Sequence, residues 1–201
     1  MKTFRSTRRT EPADQRTEPA EPRRSQSRGR RRIVIAVLLV LAGFAAATAD
    51  LFVWPPQGMP ARVDAIVMLN GPGDRLATAL RLAWAHRAPM IVISRGSRYW
   101  GHGNVCAPKI PGVKVICFDP DPETTRGEAE FAGVLAKRYR WRSIVLVAIK
   151  PQDTRARLRV GRCLSGRIYV INAPIPLSSW PGAIAYEWGA ITKALVFQRS
   201  C

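Results

Sequence analysis

The sequence has few histidines and no metal-binding pattern. It contains two histidines, and its four cysteines form no C-x-x-C pair. A structural zinc site needs four Cys or His ligands in close spacing. We therefore expect no metal site, and no motif indicates a bound cofactor.

Acidic residues are also scarce. Lys and Arg number 32 against 14 Asp and Glu, and the formal net charge is +18. Such a balance suits a nucleic acid, an anionic lipid or a phosphorylated ligand. Most of the cations are arginines in a chain that is also rich in Ala, Gly and Pro. This composition is typical of a GC-rich coding sequence, so only clustered arginines point to a ligand.

Long apolar runs are absent except for one, which spans Ile33 to Val53 and contains a single ionisable residue, Asp50. About 20 apolar residues cross a bilayer. Arginines flank only the N-terminal side of the run, so the positive-inside rule predicts a cytoplasmic N-terminus and an exported C-terminal part. We predict a disordered basic tail over 1–32, a transmembrane signal-anchor over 33–54 and one α/β domain over 55–201.

A cleaved signal peptide is the alternative to an anchor. Ala47-Thr48-Ala49 forms an A-x-A cleavage site, and the arginines before Ile33 loosely fit a twin-arginine export signal. The 32-residue leader and the apolar residues after the site favour an uncleaved anchor. Both routes export the domain.

Five short apolar runs alternate with helical patterns after Pro55-Pro56. Most of the runs are continuously apolar, which is typical of parallel strands covered on both faces. Strand and helix alternation indicates βαβ units. The expected fold is a Rossmann-like, mostly parallel five-stranded sheet with helices on both faces. The predicted strands are 63–69, 90–94, 113–118, 143–147 and 167–171.

Ligands bind parallel sheets at the carboxyl ends of the strands. The loop after the first strand contains Asn70, Gly71, Asp74 and Arg75, which suit a phosphate cradle at a helix N-terminus. The dinucleotide fingerprint is missing, because Leu76 occupies its third glycine position. A plain tight turn explains this loop equally well.

The loops after the third and fourth strands carry further arginines. Thr125 and Glu128 have the spacing of a capping box, which leaves Arg126 available as an anion clamp. Arg155 opens an arginine stripe with Arg159 and Arg162. That stripe is either a solvated basic face or, at Arg155, part of a ligand site.

Four loop motifs in order resemble those of the YdcF/SanA/ElyC-like envelope proteins, over about residues 62–200. They are Asn70-Gly71 after the first strand, Ser94-Arg95-Gly96 after the second, the 124–129 segment TTRGEA and the 154–156 segment TRA. The resemblance implies a Rossmann-like domain behind a membrane segment, with a role in envelope integrity, peptidoglycan assembly or lipid-carrier metabolism. It defines no reaction.

One departure from the family pattern concerns acid–base chemistry. Gln152 stands where relatives usually carry a histidine, and glutamine exchanges no proton near neutral pH. His86 is expected at the surface near a helix end. His102, in a glycine-rich loop after the second strand, is a minor candidate to replace the missing histidine.

Two functions follow as hypotheses. In the first, the domain binds, or also processes, an anionic phosphate-bearing cell-wall or lipid-carrier intermediate. Arg75, Arg126 and Arg155 would hold the anion, and Asp74 or Glu128 would carry a proton. Gln152 is a further catalytic candidate, which would act through hydrogen bonds. Hydrogen bonds would come from the remaining loop residues, among them Asn70, Gly71, Ser94, Gly96, Thr125 and Gln152. In the second, the domain is an inert envelope scaffold or regulatory protein. Nucleic acid is not an expected partner of an exported domain, and the sequence does not predict an oligomeric state.

An oxidising compartment would drive the cysteines into disulfides. Sequence alone leaves three pairings open. We favour Cys106 with Cys117, across the loop between the second and third strands, which leaves Cys163 to pair with Cys201. The alternative is that Cys117 and Cys163 are buried free thiols.

Overall fold

In this computed structural model the backbone is described for residues 24–96, 106 and 108–201, with side chains from Gly29 onward. The chain divides into two units, with the boundary between Gly43 and Phe44, and the second unit is Phe44–Cys201. The second unit contains the whole α/β domain together with the last ten residues of the apolar run.

Helix α1 spans Arg24–Thr48 and continues into one π-helical turn, Ala49–Val53. It is the one helix in the described part of the chain that is long and apolar enough to cross a membrane, over Gly29–Val53 with a mean hydropathy of 2.3. The prediction of disorder up to residue 32 is wrong from Arg24 onward. Once the apolar run has nucleated a helix, each further residue adds a hydrogen bond at little cost, and arginine is a good helix former.

Five strands form one all-parallel sheet. The strands are β1 Ala65–Met68, β2 Met90–Ser94, β3 Lys114–Phe118, β4 Ser143–Ile149 and β5 Arg167–Ala173. Their order across the sheet is β3-β2-β1-β4-β5. The predicted α/β class and parallel sheet are confirmed. The chain runs outward from β1 to β3 and then returns to the other side of β1 for β4, so the strand order reverses between β1 and β4.

Helices cover both faces of the sheet. Alternate residues of β1 point to opposite faces, so Val67 belongs to one core cluster and Ile66 to the other. The helices are α2 Arg75–Trp84, α3 Thr125–Tyr139, α4 Asp153–Cys163 and α5 Trp180–Val196. The first cluster contains apolar side chains of α3 and α4, and the second contains those of α2. Helix α5 packs on α4.

Both favoured disulfides are present. Cys106 is bonded to Cys117 in β3, and Cys163 at the end of α4 is bonded to Cys201. Their Cα–Cα distances of 6.1 and 4.9 Å are ordinary for disulfides. All four cysteines are therefore paired, and the alternative of buried free thiols is wrong.

Candidate functional site

Buried polar side chains collect at the carboxyl edge of the sheet. Ten polar or charged side chains are buried in the described part of the chain. Seven of them stand at a strand's carboxyl end or in the turns that follow it. These seven are Arg75, Ser94, Thr125, Glu128, Gln152, Asp153 and Arg155. At this edge the connections that follow β1 and β4 lead in opposite directions along the sheet. Open parallel sheets bind ligands at such a point.

Glu128 lies in the first turn of α3, but its carboxylate faces the loop after β1. Its Oε1 accepts a hydrogen bond from the Asn70 backbone N–H at 2.5 Å. The predicted capping box is wrong: the N-cap of α3 is Thr124, and among the described residues no side chain caps this helix end. The Glu128 carboxylate is bonded to the Asn70 N–H and not to the backbone at the start of its own helix, so it connects the start of α3 to the end of β1.

Burial raises the pKa of Glu128, because the charged form loses its hydration. The Asn70 N–H, the nearby Ser94 hydroxyl and the charges of Arg75 and Arg155 lower the pKa, but they only partly offset the burial. Glu128 therefore takes up a proton more readily than an exposed glutamate does. It is the buried carboxyl group at this edge whose pKa is shifted upward.

Arg155, in the first turn of α4, makes a buried ion pair with Glu187 of α5. Its Nε and Nη2 donate to the two carboxylate oxygens at 2.5 and 2.7 Å, and its Nη1 donates to the Thr125 hydroxyl oxygen at 2.8 Å. Burial lowers the pKa of Arg155, but the hydrogen bonds and charge of Glu187, together with the charges of Tyr186 and Glu128, outweigh burial and leave this pKa raised. The guanidinium is thus a permanent, oriented cation.

Thr125 links this ion pair to Gln152. Its hydroxyl oxygen also accepts a hydrogen bond from Gln152 Nε2, at 3.1 Å. The predicted positions Thr125, Gln152 and Arg155 are therefore in direct contact, although they come from two different loops. The charge of Arg155 lowers the pKa of Glu128, so these contacts are electrostatically linked to Glu128 and its partner Asn70.

Two buried amide oxygens in this cluster have no hydrogen-bond partner among the described residues. They are Asn70 Oδ1 and Gln152 Oε1. Both are acceptors, and the Ser94 hydroxyl near them interacts with Glu128 and lowers its pKa. Buried polar atoms are nearly always satisfied in folded proteins. Ordered water or a ligand bound at this edge would supply the missing donors for the two amide oxygens.

Two glycines allow the loops to come this close. A Cβ on Gly96 would stand 2.0 Å from Asn70 Nδ2, so only glycine lets the amide of Asn70 lie against the loop after β2. Gly71 has a φ of +143°, and a Cβ there would stand 2.6 Å from Arg75 Nη2. Both predicted glycine positions are therefore required by neighbouring side chains rather than by free space for a phosphate.

The three predicted arginine clamps do not converge. Arg75 is 1% exposed and donates to carbonyl oxygens of its own loop, those of Leu69, Pro72 and Asn70. Arg126 is about one-third exposed and pairs with Glu130 one turn along α3. Arg155 is therefore the predicted clamp whose guanidinium lies within the cluster, while Arg75 acts on Glu128 through its charge. Asp74 is exposed at the N-terminus of α2.

The arginine stripe on α4 is not a solvated face. Arg159 is 5% exposed and donates to the backbone and side-chain oxygens of Gln198. Arg162 donates to the carbonyl oxygens of Ala194 and Gln198. Both side chains satisfy carbonyls at the C-terminal end of α5, which have no partner inside that helix.

Sequence reasoning missed Glu187. The sequence presents α5 as an amphipathic helix, and its single carboxylate gives the one available signal, since it stands alone among apolar and small residues. His86 is exposed after α2, as expected, in a left-handed conformation with φ 49°. His102 lies outside the described residues.

The described residues contain no group of three or more His, Cys, Asp or Glu side chains that could hold a metal ion. A shallow concavity of about 680 Å³ lies beside β3, away from the polar cluster, and is lined by Lys109 and mostly apolar side chains. Among the described residues, Lys109 is its one ionisable side chain. Comparisons with family models, curated proteins and solved structures find no match for this chain.

Proposed function

We propose that the α/β domain binds an anionic, phosphate-bearing intermediate of cell-wall or lipid-carrier metabolism at the carboxyl edge of its sheet. The observation that carries the proposal is the pair of buried amide oxygens of Asn70 and Gln152, which have no hydrogen-bond partner among the described residues, together with the Ser94 hydroxyl beside Glu128. The acceptor oxygens suit hydroxyl groups of such an intermediate, and Arg155 with Arg75 supplies positive charge.

The charges of the cluster favour an anion that arrives together with a proton. Arg75 and Arg155 are balanced by Glu128 and Glu187 while both carboxyl groups are ionised. A phosphate placed beside Glu128 raises the pKa of that carboxyl group further, because like charges oppose ionisation. Protonation of Glu128 would leave a net positive site, so we expect proton uptake on binding. In a reaction at this edge, Glu128 would be the proton carrier.

The envelope context rests on three observations. The loop motifs resemble the YdcF/SanA/ElyC-like proteins, α1 is long and apolar enough to span a membrane, and both disulfides suit an oxidising compartment. Together they support a single-pass membrane protein whose N-terminus is cytoplasmic and whose α/β domain is outside. A reporter that is active only outside the cytoplasm, fused after Cys201, should give signal, and a silent fusion that is stably produced would contradict this orientation.

Packing at the end of the apolar run supports an uncleaved anchor. Phe52 is fully buried, and the Trp188 ring stacks on Phe44 at 5.0 Å and meets Phe52 edge-on at 5.3 Å. The indole N–H of Trp188 also donates to Thr48 Oγ1 at 3.2 Å. Cleavage after Ala49 would remove Phe44 and Thr48 from these contacts. The mature protein should therefore retain its N-terminal segment, which intact-mass measurement would show.

A second candidate function is an inert scaffold or regulatory protein. It is favoured by the existing partners of Arg155, whose donors are engaged by Glu187 and Thr125, and by Gln152, which cannot exchange a proton. Under this reading the buried polar cluster only positions the loops.

The two functions can be distinguished by measuring how tightly the full chain in detergent binds inorganic pyrophosphate, a prenyl phosphate and neutral N-acetylglucosamine. We expect both phosphates to bind more tightly than the neutral sugar. Ser94→Ala should weaken binding of the phosphates about tenfold or more, the loss expected for one charged hydrogen bond. The exposed Ser165→Ala is the matched control. No phosphate binding, or equal binding by the Ser94 variant, favours the scaffold.

A further inference from the structure

Exposed large apolar side chains are unevenly distributed over the α/β domain. Outside the candidate span, eight are exposed in the described part of the chain. Trp84 on α2 and Val134 on α3 are isolated cases, which are normal on protein surfaces. The other six form what we call the α5 apolar set, made up of Trp54, Leu177, Tyr186, Leu195, Val196 and Phe197. They lie directly after the span, before α5, on α5 and at its C-terminal end.

Helix α5 is itself in contact with the end of the candidate span. Trp188, in the middle of α5, packs against Phe44 and Phe52 and hydrogen-bonds to Thr48. These three partners belong to the last turns of the Gly29–Val53 segment. If that segment crosses a bilayer, Phe52 lies at its outer end and Phe44 about 12 Å further in, so the middle of α5 is held over the outermost part of the span.

The composition of α5 suits that level. Tryptophan and tyrosine concentrate at membrane–water interfaces, and this region carries Trp54, Trp180, Tyr186 and Trp188. The one carboxylate of α5, Glu187, is buried against Arg155. The exposed charges of α5 and the residues just after it are cationic, those of Lys193 and Arg199. An exposed helix with apolar and cationic groups and no exposed carboxylate fits an anionic lipid surface.

We propose that the α5 apolar set docks on the outer surface of an anionic phospholipid bilayer, with α5 lying in the interface. This inference rests on the membrane anchoring proposed above, and it is independent of phosphate binding. Docking would hold the ion pair of Arg155 and Glu187 beside the membrane, because Glu187 is on the docked helix and Thr154, next to Arg155, donates to the Leu51 carbonyl oxygen at 2.5 Å. The candidate site would then work on groups carried at the bilayer surface.

Labels of matched chemistry test the docking. All four native cysteines are in disulfides, so one added cysteine is the only free thiol. We would place a polarity-sensitive fluorophore at Val196→Cys in the full chain, reconstituted in phosphatidylethanolamine and phosphatidylglycerol vesicles with spin-labelled lipid as quencher. Val134→Cys, on α3, is the exposed control, and Leu39→Cys reports the span.

We expect the fluorophore at Val196 to shift to shorter wavelength and to lose fluorescence to a degree approaching that at Leu39, while Val134 keeps its fluorescence. Quenching at Leu39 with none at Val196 would show that the anchor inserts and that α5 does not dock. No quenching at Leu39 would overturn the anchor and the docking together. A label at Val196 that is shielded but unquenched, with intermolecular crosslinking, would mean that a second copy covers α5, which also overturns the proposal.

Discussion

The ion pair between Arg155 and Glu187 gives the sharpest stability prediction. Both side chains are buried, at 9% and 4% exposure, and the pair is bidentate. Glu187→Ala would leave the Arg155 guanidinium buried without its counter-ion. Removal of one partner of a buried pair costs about 3–5 kcal/mol of unfolding free energy. For a unit of this size that is a fall in Tm on the order of 6 to 20 °C.

The chain contains a matched control for this measurement. Arg126 and Glu130 form the same Nε-to-carboxylate bond at 2.8 Å, but both side chains are about one-third exposed. Exposed pairs one helical turn apart contribute about 0.3–0.5 kcal/mol, so Glu130→Ala should change Tm by no more than about 2 °C.

Thermal unfolding of the full chain in detergent, followed by circular dichroism, compares the two variants. The double variant Arg155→Met with Glu187→Leu should recover most of the lost stability, because a well-packed apolar pair can replace a buried ion pair. It should still lose phosphate binding. Equal, small effects of Glu187→Ala and Glu130→Ala would refute the assignment of a buried, desolvated pair.

Three further predictions concern the same edge and the cysteines. The pKa of Glu128 is raised in the folded state, so the stability that its protonation contributes is fully present below the ordinary pKa of 4.5 and is lost as pH rises through the folded-state pKa. Urea titrations from pH 4.5 upward should show Glu128→Gln gaining stability relative to the parent as pH rises. Gly96→Ala should weaken pyrophosphate binding, since its Cβ would displace the Asn70 amide, while Gly182→Ala, in open space, should not; equal binding by both variants would remove Asn70 from the site. Loss of the disulfide between Cys163 and Cys201, 38 residues apart, should cost about 4 kcal/mol by chain entropy, and thiol counting on the unfolded, unreduced protein should find no free thiol, whereas four would contradict both bridges.

Local patterns in the sequence were sufficient to predict the fold. Continuous apolar runs located all five strands, because strands covered on both faces need apolar residues at every position. The ends of the strands differ from the predicted ones where contacts outside the apolar runs determine them. The carboxylate of Asp64 accepts the N–H groups of Arg142 and Ser143, and the first strand begins after it, at Ala65. The fourth and fifth strands pair through Ile149 and Ala173, two residues further than predicted.

The site was only partly predictable, because its decisive contacts join distant segments. Glu128 has the local spacing of a cap, but its partner, Asn70, is 58 residues away. The partner of Arg155 is on α5, 32 residues further along the chain. The sequence could identify which residues stand at the carboxyl ends of strands, since these residues directly follow the apolar runs. It could not show that the Arg75 guanidinium would donate its hydrogen bonds to carbonyl oxygens of its own loop.

The most direct test of the account is native mass spectrometry of the full chain released from its native membranes. We expect the parent protein to retain a phosphate-containing ligand, Ser94→Ala to retain much less of it, and the exposed Ser165→Ala to retain as much as the parent. A parent protein without any bound phosphate compound, or equal occupancy in the Ser94 variant, would contradict ligand binding at this edge of the sheet.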